Sequence, residues 1–146
     1  MKKEEVRVVF DAYIFKGGVT GKEPGYSAYR KILDNRYHHA LIISEEIIEN
    51  YSKAIAKNGF KPSVMWIEFI KLQMMQKIRF AKRERIESVE EKVDVHRKDK
   101  AFSRAAFALN AKYIVTQDRR HFLSKKSEFK KYQIEVLTPE EYIEIS

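Results

Sequence analysis

Three aspartates stand where an apolar run of chain gives way to something else. Asp11 directly follows the run Val6–Phe10. Asp118 lies two residues beyond Thr116, at the close of the run over residues 111–116. Asp99 opens the helical pattern that leads into that second run. In an open parallel sheet, ligands bind outside the carboxyl ends of the strands. Asp11 and Asp118, far apart in sequence, can meet there, and a tight crossover brings Asp99 to the same place. Three carboxylates gathered this way repel one another unless a cation lies between them. Oxygen donors favour Mg²⁺ or Mn²⁺. Such ions activate water and stabilise the charge that builds on a phosphodiester. Each acid also has a blander reading. Asp99 suits a helix N-cap equally well, and Asp118 could open a turn or cap residues 119–123. Asp11 is the least comfortable under such a reading. An acid between Val-Val-Phe and Ala-Tyr-Ile-Phe is costly to bury without a partner.

The elements that must position these acids follow from pattern. Val6–Phe10 is short, β-branched and mostly apolar, and reads as a buried strand. Residues 16–25 hold four of the chain's five glycines and Pro24, which predicts a surface loop. Residues 26–35 carry Ala28, Tyr29, Ile32 and Leu33 at helical spacing. Residues 40–43 form a second buried strand. Ser44, followed by Glu45 and Glu46, reads as the N-cap of a helix through Lys57 that Asn58-Gly59 ends. Pro62 opens a third helix through about Met75. Residues 78–94 are harder to place, with a short strand over residues 92–95 the best reading. The helix from Asp99 packs Phe102, Ala105, Ala106 and Leu109 on one face. Residues 111–116 and 132–137 are strands, and residues 139–145 a last short helix. Strands alternating with helices imply an α/β fold with a mainly parallel sheet covered on both faces. The 146 residues are the size of one domain.

Composition narrows the chemistry. Without cysteine, a disulfide framework, a thiolate metal site and a cysteine nucleophile are all excluded. The net charge of +8 makes a polyanion, nucleic acid above all, a natural partner. The charged opening Met1 to Glu5 lacks the apolar stretch of a secretory leader. No run approaches the ~20 apolar residues that cross a bilayer. A soluble, cytoplasmic protein with no membrane partner is the expectation. A dinucleotide-binding oxidoreductase is a poor alternative: Gly17-Gly18-Val19-Thr20-Gly21 lacks G-x-G-x-x-G spacing and an immediate helix.

The segment Val8-Val9-Phe10-Asp11-Ala12-Tyr13-Ile14-Phe15 resembles the opening of PIN domains. Asp99-Lys100-Ala101-Phe102 and the strand ending Val115-Thr116-Gln117-Asp118 resemble the family's later acidic block. The resemblance spans roughly residues 6–136 and is greatest to the toxins of toxin–antitoxin pairs. It implies a three-layer α/β/α sandwich and a metal-dependent ribonuclease. Asp11, Asp99 and Asp118 match the metal-binding acids, and Thr116 the hydroxyl beside the metal's water. The family's second acid falls at Asn50, with Glu46 one turn earlier on the same helical face. The site then carries about three negative charges rather than four, which weakens metal binding unless Glu46 reaches in. Ala12 and Tyr13 replace a Thr and a small amide, and Arg119, Arg120 and His121 occupy an often acidic stretch. A second reading therefore stands beside the nuclease: a PIN-fold module that binds RNA or a protein and no longer cuts.

Cations beside an acidic centre suit a phosphate-bearing substrate. Arg119, Arg120 and Lys98 are placed to meet RNA, and Tyr13, Phe15 and Phe122 offer stacking surfaces for a single strand. Lys125, Lys126, Lys130 and Lys131 extend the run but read equally well as a solvated face. His38-His39 reads as a surface turn, and His96 and His121 as solitary. Met65, Trp66, Ile67, Phe69, Ile70, Leu72, Met74 and Met75 make the third helix unusually apolar. Core packing is the default there, and a homodimer surface the alternative. An antitoxin protein is the further partner the resemblance implies.

Overall fold

Val6–Phe10 forms β1, the central strand of a five-stranded parallel sheet ordered β3-β2-β1-β4-β5. The computed structural model describes residues 4–145, so of the charged opening segment residues 1–3 lie outside the described residues. The other strands of the sheet are β2 (His39–Ile43), β3 (Ile78–Phe80), β4 (Tyr113–Val115) and β5 (Glu135–Leu137). All five residues of β2 are buried, as befits a parallel strand covered on both faces. The helices are α1 (Ala12–Thr20), α2 (Gly25–Leu33), α3 (Glu45–Lys57), α4 (Ser63–Met74), α5 (Arg83–Glu87), α6 (Lys100–Ala108), α7 (Lys126–Lys130) and α8 (Pro139–Glu144). Together they make the three-layer α/β/α arrangement. No helix among the described residues is long and apolar enough to cross a membrane.

The strand order decides where a site can form. The chain builds β1, β2 and β3 outward on one side, then returns to lay β4 and β5 on the other. Neighbouring strands β1 and β4 thus feed connections that diverge, leaving a crevice at their carboxyl ends. Register places Phe10 beside Val115, so Asp11 and Thr116 leave the sheet side by side.

Three sequence expectations are corrected. Of residues 16–25 only 21–24 form a loop. Helix α1 runs to Thr20, and Gly17 and Gly18 are buried within it. These glycines are there for close packing. A Cβ on Gly18 would sit 2.6 Å from the Tyr29 side chain, and one on Gly25 only 2.3 Å from the Ile14 carbonyl oxygen. The strand expected over residues 92–95 is absent. The edge strand is Ile78–Phe80, paired to β2 through Leu41 and Ile78, while Val93 and Val95 are buried in irregular chain. His38 is exposed as expected, but His39 begins β2 and is buried.

An aromatic cluster links the helices to the strand that carries Asp11. Phe15 of α1 stacks on Tyr51 of α3, centroids 4.2 Å apart, and on Phe69 of α4. The fully buried Tyr51 donates its hydroxyl to the Phe10 carbonyl at 2.6 Å. That bond ties α3 to the last residue of β1. On α4, Met65, Phe69 and Leu72 face the core, while Trp66, Ile67, Ile70 and Met74 are exposed.

His39 offers a test of the packing by pH. Its Nδ1 meets the Tyr142 hydroxyl. Burial, then the charges of Lys31, Lys77 and Lys112, push its pKa down to about 4. The unfolded chain takes up this proton near pH 6.5 and the folded chain only near pH 4. The stabilisation is therefore complete above pH 6.5 and lost as pH falls through this window. Urea midpoints of the unmutated protein should fall relative to His39→Gln between pH 7 and pH 4.5. A gap between the two that stays constant with pH would show that His39 titrates normally.

Candidate active site

Asp11 leaves β1 with an extended backbone and caps α1, its Oδ1 accepting from the Ile14 N–H at 3.0 Å. Its other oxygen accepts from the Thr116 hydroxyl. Its own N–H donates to the Val115 carbonyl. The carboxylate that seemed costliest to bury thus accepts hydrogen bonds from Ile14 and Thr116, and the residue is only 6% exposed. Burial still raises its pKa, opposed by those bonds. Thr116, fully buried, ties two acids together: it donates to Asp11 and accepts from the Asp118 N–H at 3.0 Å. Asp118 in turn accepts from the His121 N–H at 2.9 Å and closes a turn. Here the bland reading of the residue holds alongside any other.

Asp99 is different. It ends a 3₁₀ turn over Arg97–Asp99 and precedes α6, yet its side chain makes no capping bond. Its Oδ2 is buried with no hydrogen-bond partner. Burial first, then the charges of Asp118 and Asp11, push its pKa up to about 7. A buried carboxylate oxygen without a donor is expensive. Capping is the role that position alone would assign to Asp99, and the structure withholds it.

Asp11, Asp99 and Asp118 line one cavity of about 590 Å³, together with Ala12, Tyr13, Gln117 and His121. Asn50 and Lys98 also line it. The Asn50 amide donates to the Glu46 carbonyl at 2.8 Å, which commits the NH₂ to the helix. Glu46 does not join this cavity. It lines a separate one with Glu45 and Glu91, where its carboxylate lies 3.4 Å from Arg104 of α6. Arg119 and Arg120 are exposed in the turn after Asp118 and do not line the acid cavity. Tyr13 is 61% exposed, whereas Phe15 and Phe122 are fully buried and cannot receive a base. His96 and His121 are not solitary: their rings lie 4.0 Å apart.

Sequence reasoning missed Lys53 and Lys57, which line the same cavity from α3. The available signal was their three- and seven-residue spacing from Asn50, which puts all three on one helical face.

The donor chemistry fits a hard divalent cation. Three carboxylates surround one cavity, and a buried oxygen of one has nothing to bind. As they stand, no three such side chains among the described residues are close enough to hold a metal ion. In this arrangement Asp11 is turned to Thr116 and Ile14, and Asp118 to His121.

A family model described as a PIN domain matches residues 7–120. No curated protein matches the chain. Among solved structures, the chain is similar to one in the crystal structure of VapBC2 from Rickettsia felis bound to a DNA fragment from their promoter. That similarity has a TM-score of 0.52 at 14% identity and covers 91% of this chain and 98% of the other. At such identity the likeness is one of fold.

Proposed function

The chain belongs to the PIN-domain family, and from that premise we propose that it is a Mg²⁺- or Mn²⁺-dependent endoribonuclease of single-stranded RNA. It acts as a single cytoplasmic domain. One observation carries the reading. Acids from the end of β1, the start of α6 and the end of β4 line one cavity, and Asp99 brings a buried oxygen with no partner. Asp11, Asp99 and Asp118 would hold the ion, with the Asn50 carbonyl oxygen as a neutral fourth donor. When bound, the ion supplies water activation and charge neutralisation at the phosphodiester.

The chain's own residues do the rest. Thr116 fixes the Asp11 carboxylate by its hydroxyl proton and the Asp118 backbone by its oxygen, so the two acids keep a common orientation. Lys98 beside the acids meets an incoming phosphate, and Tyr13 at the rim offers a ring to a base. Arg119 and Arg120, exposed next to Asp118, draw the polyanion toward the cavity. The VapBC2 structure supports a further assignment, the toxin of a toxin–antitoxin pair. The exposed Trp66, Ile67, Ile70 and Met74 of α4 suit a protein partner, either an antitoxin or a second copy of the chain.

Cleavage of an unstructured RNA in Mn²⁺ tests the reading. The unmutated protein should cut, and EDTA or Asp11→Asn should abolish cutting. Equal cutting by Asp11→Asn would assign the activity to a contaminant. A second reading, an RNA-binding module that no longer cuts, is favoured by Asn50, which brings no charge, and by Glu46, which is engaged with Arg104. RNA binding unaffected by EDTA, with no Mn²⁺ heat in calorimetry, would favour this second reading; Asn50→Glu tests the placing of the fourth donor. It should tighten Mn²⁺ binding at least ~ten-fold, because it adds a carboxylate to the cavity wall. Unchanged or weaker binding would show that the Asn50 position is not part of an ion site.

A further inference from the structure

We infer that the C-terminal half of α3 is a rail for the RNA backbone, with Lys53 and Lys57 taking neighbouring phosphates beside the one to be cut. The inference rests on the nuclease reading above and adds to it the path of the substrate. Asn50, Lys53, Ala54 and Lys57 all line the acid cavity. Steps of three and four residues put them in one stripe along the helix. At 1.5 Å per residue, Lys53 and Lys57 lie about 4.5 and 10.5 Å beyond Asn50 along the helix axis. The two lysines are thus roughly 6 Å apart along the helix axis, so one strand lying beside the helix can be met by both. Ala54, the small residue between them, leaves room for the backbone to lie against the helix.

The charges are available for this. Lys53 pairs with Glu49 at 3.4 Å, with both side chains more than two-thirds exposed, an interaction worth little in water. No ion pair engages Lys57 among the described residues. A lysine in the last turn also complements the helix dipole, which accounts for Lys57 alone. It does not account for a second lysine on the same stripe facing the same cavity. The recessed acids, each of Asp11 and Asp99 under a tenth exposed, admit a phosphate only from a strand that can bend inward. Tyr13 stands exposed at the rim with the Lys16 ammonium 4.9 Å from its ring, leaving the opposite ring face for a base.

The test is fluorescence anisotropy of a labelled, unstructured single-stranded RNA, with Ca²⁺ in place of Mg²⁺ and RNA integrity checked on a gel. Three proteins are compared over a salt series: unmutated, K53Q/K57Q, and K130Q/K131Q, whose lysines are exposed and outside the cavity. The rail variant should bind about ten-fold more weakly at low salt. Its slope of log K against log salt should be shallower by about 1.4, because each phosphate left without its lysine lowers the slope by about 0.7. The control pair should change neither, and all three proteins should melt together, since every substituted side chain is exposed. A slope in K53Q/K57Q equal to that of the unmutated protein would overturn the rail and leave the nuclease reading standing. Failure of the unmutated protein to bind RNA at low salt would overturn both.

Discussion

Asp99→Asn is expected to stabilise the metal-free protein while destroying its response to Mn²⁺. At pH 8 the Asp99 carboxyl, with a pKa of about 7, is largely ionised, buried and without a donor on Oδ2. It also faces the charges of Asp118 and Asp11. Asn keeps the shape, removes the charge and brings an NH₂ that can donate to Asp118. In EDTA at pH 8 the melting temperature should rise by several degrees, since about 1 kcal/mol moves a chain of this size by 2–4 °C. The direction with pH follows from the raised pKa. The folded protein holds this proton up to about pH 7 and the unfolded chain releases it near pH 3.8. The contribution is complete below the unfolded value and lost as pH rises through 7. The advantage of Asn should therefore be largest at pH 8 and shrink toward pH 5. Mn²⁺ should reverse the order, raising the melting temperature of the unmutated protein alone, and RNA cleavage by the variant should fall at least a hundred-fold. A variant that melts lower than the unmutated protein in EDTA at pH 8 would mean that Asp99 is held by bonds that favour its charge.

Gly25→Ala is expected to cost about 3 kcal/mol, the largest loss expected from a Cβ added at any of the five glycines. The added Cβ would lie 2.3 Å from the Ile14 carbonyl oxygen and 3.1 Å from the Gly17 Cα. Both neighbours are backbone atoms, so neither can swing aside, and α2 must move off α1. Gly21→Ala is the control. Gly21 has φ +78° and open space around it, so alanine there meets only the left-handed strain of about 1 kcal/mol. Chemical denaturation of both variants decides the matter. Equal losses would mean that the glycines serve chain reversal and not the packing of α2 on α1. Because Asp11 caps α1, displacement of α2 should also weaken Mn²⁺ binding in Gly25→Ala and leave it intact in Gly21→Ala.

The glycines between residues 17 and 25 also mark the boundary of what is legible in the sequence. Residues 6–10 and 40–43 announce themselves as buried parallel strands by their mostly apolar runs, and Ser44 caps α3 as its type and position foretell, accepting from the Ile47 N–H at 3.2 Å. Gly17, Gly18 and Gly25 mislead because glycine breaks a chain and also permits two helices to touch. Only the partner element, here Tyr29 or Ile14, tells the two uses apart. The edge strand Ile78–Phe80 escapes notice since it has three residues, one of them Arg79, and pairs on one side only.

The candidate site divides in the same way. Asp11 and Asp118 are legible as strand-end acids, because the sheet topology alone brings strand ends together. Asp99 is legible in position but not in character: its lack of a capping bond depends on where the 3₁₀ turn aims its side chain. Glu46 and Asn50 share a helical face, yet Glu46 meets Arg104, 58 residues away. Nothing local records that pairing, whereas the spacing of Lys53 and Lys57 from Asn50 does place them on the face that overlooks the acids.

Calorimetric titration of Mn²⁺ into the metal-free protein tests most directly whether the three acids act as one centre. A single saturable site should appear in the unmutated protein and vanish separately in Asp11→Asn, Asp99→Asn and Asp118→Asn, each shown to be folded. Heats that survive unchanged in any one of these variants, or an unmutated protein that cuts RNA without taking up the ion, would contradict a shared cation site.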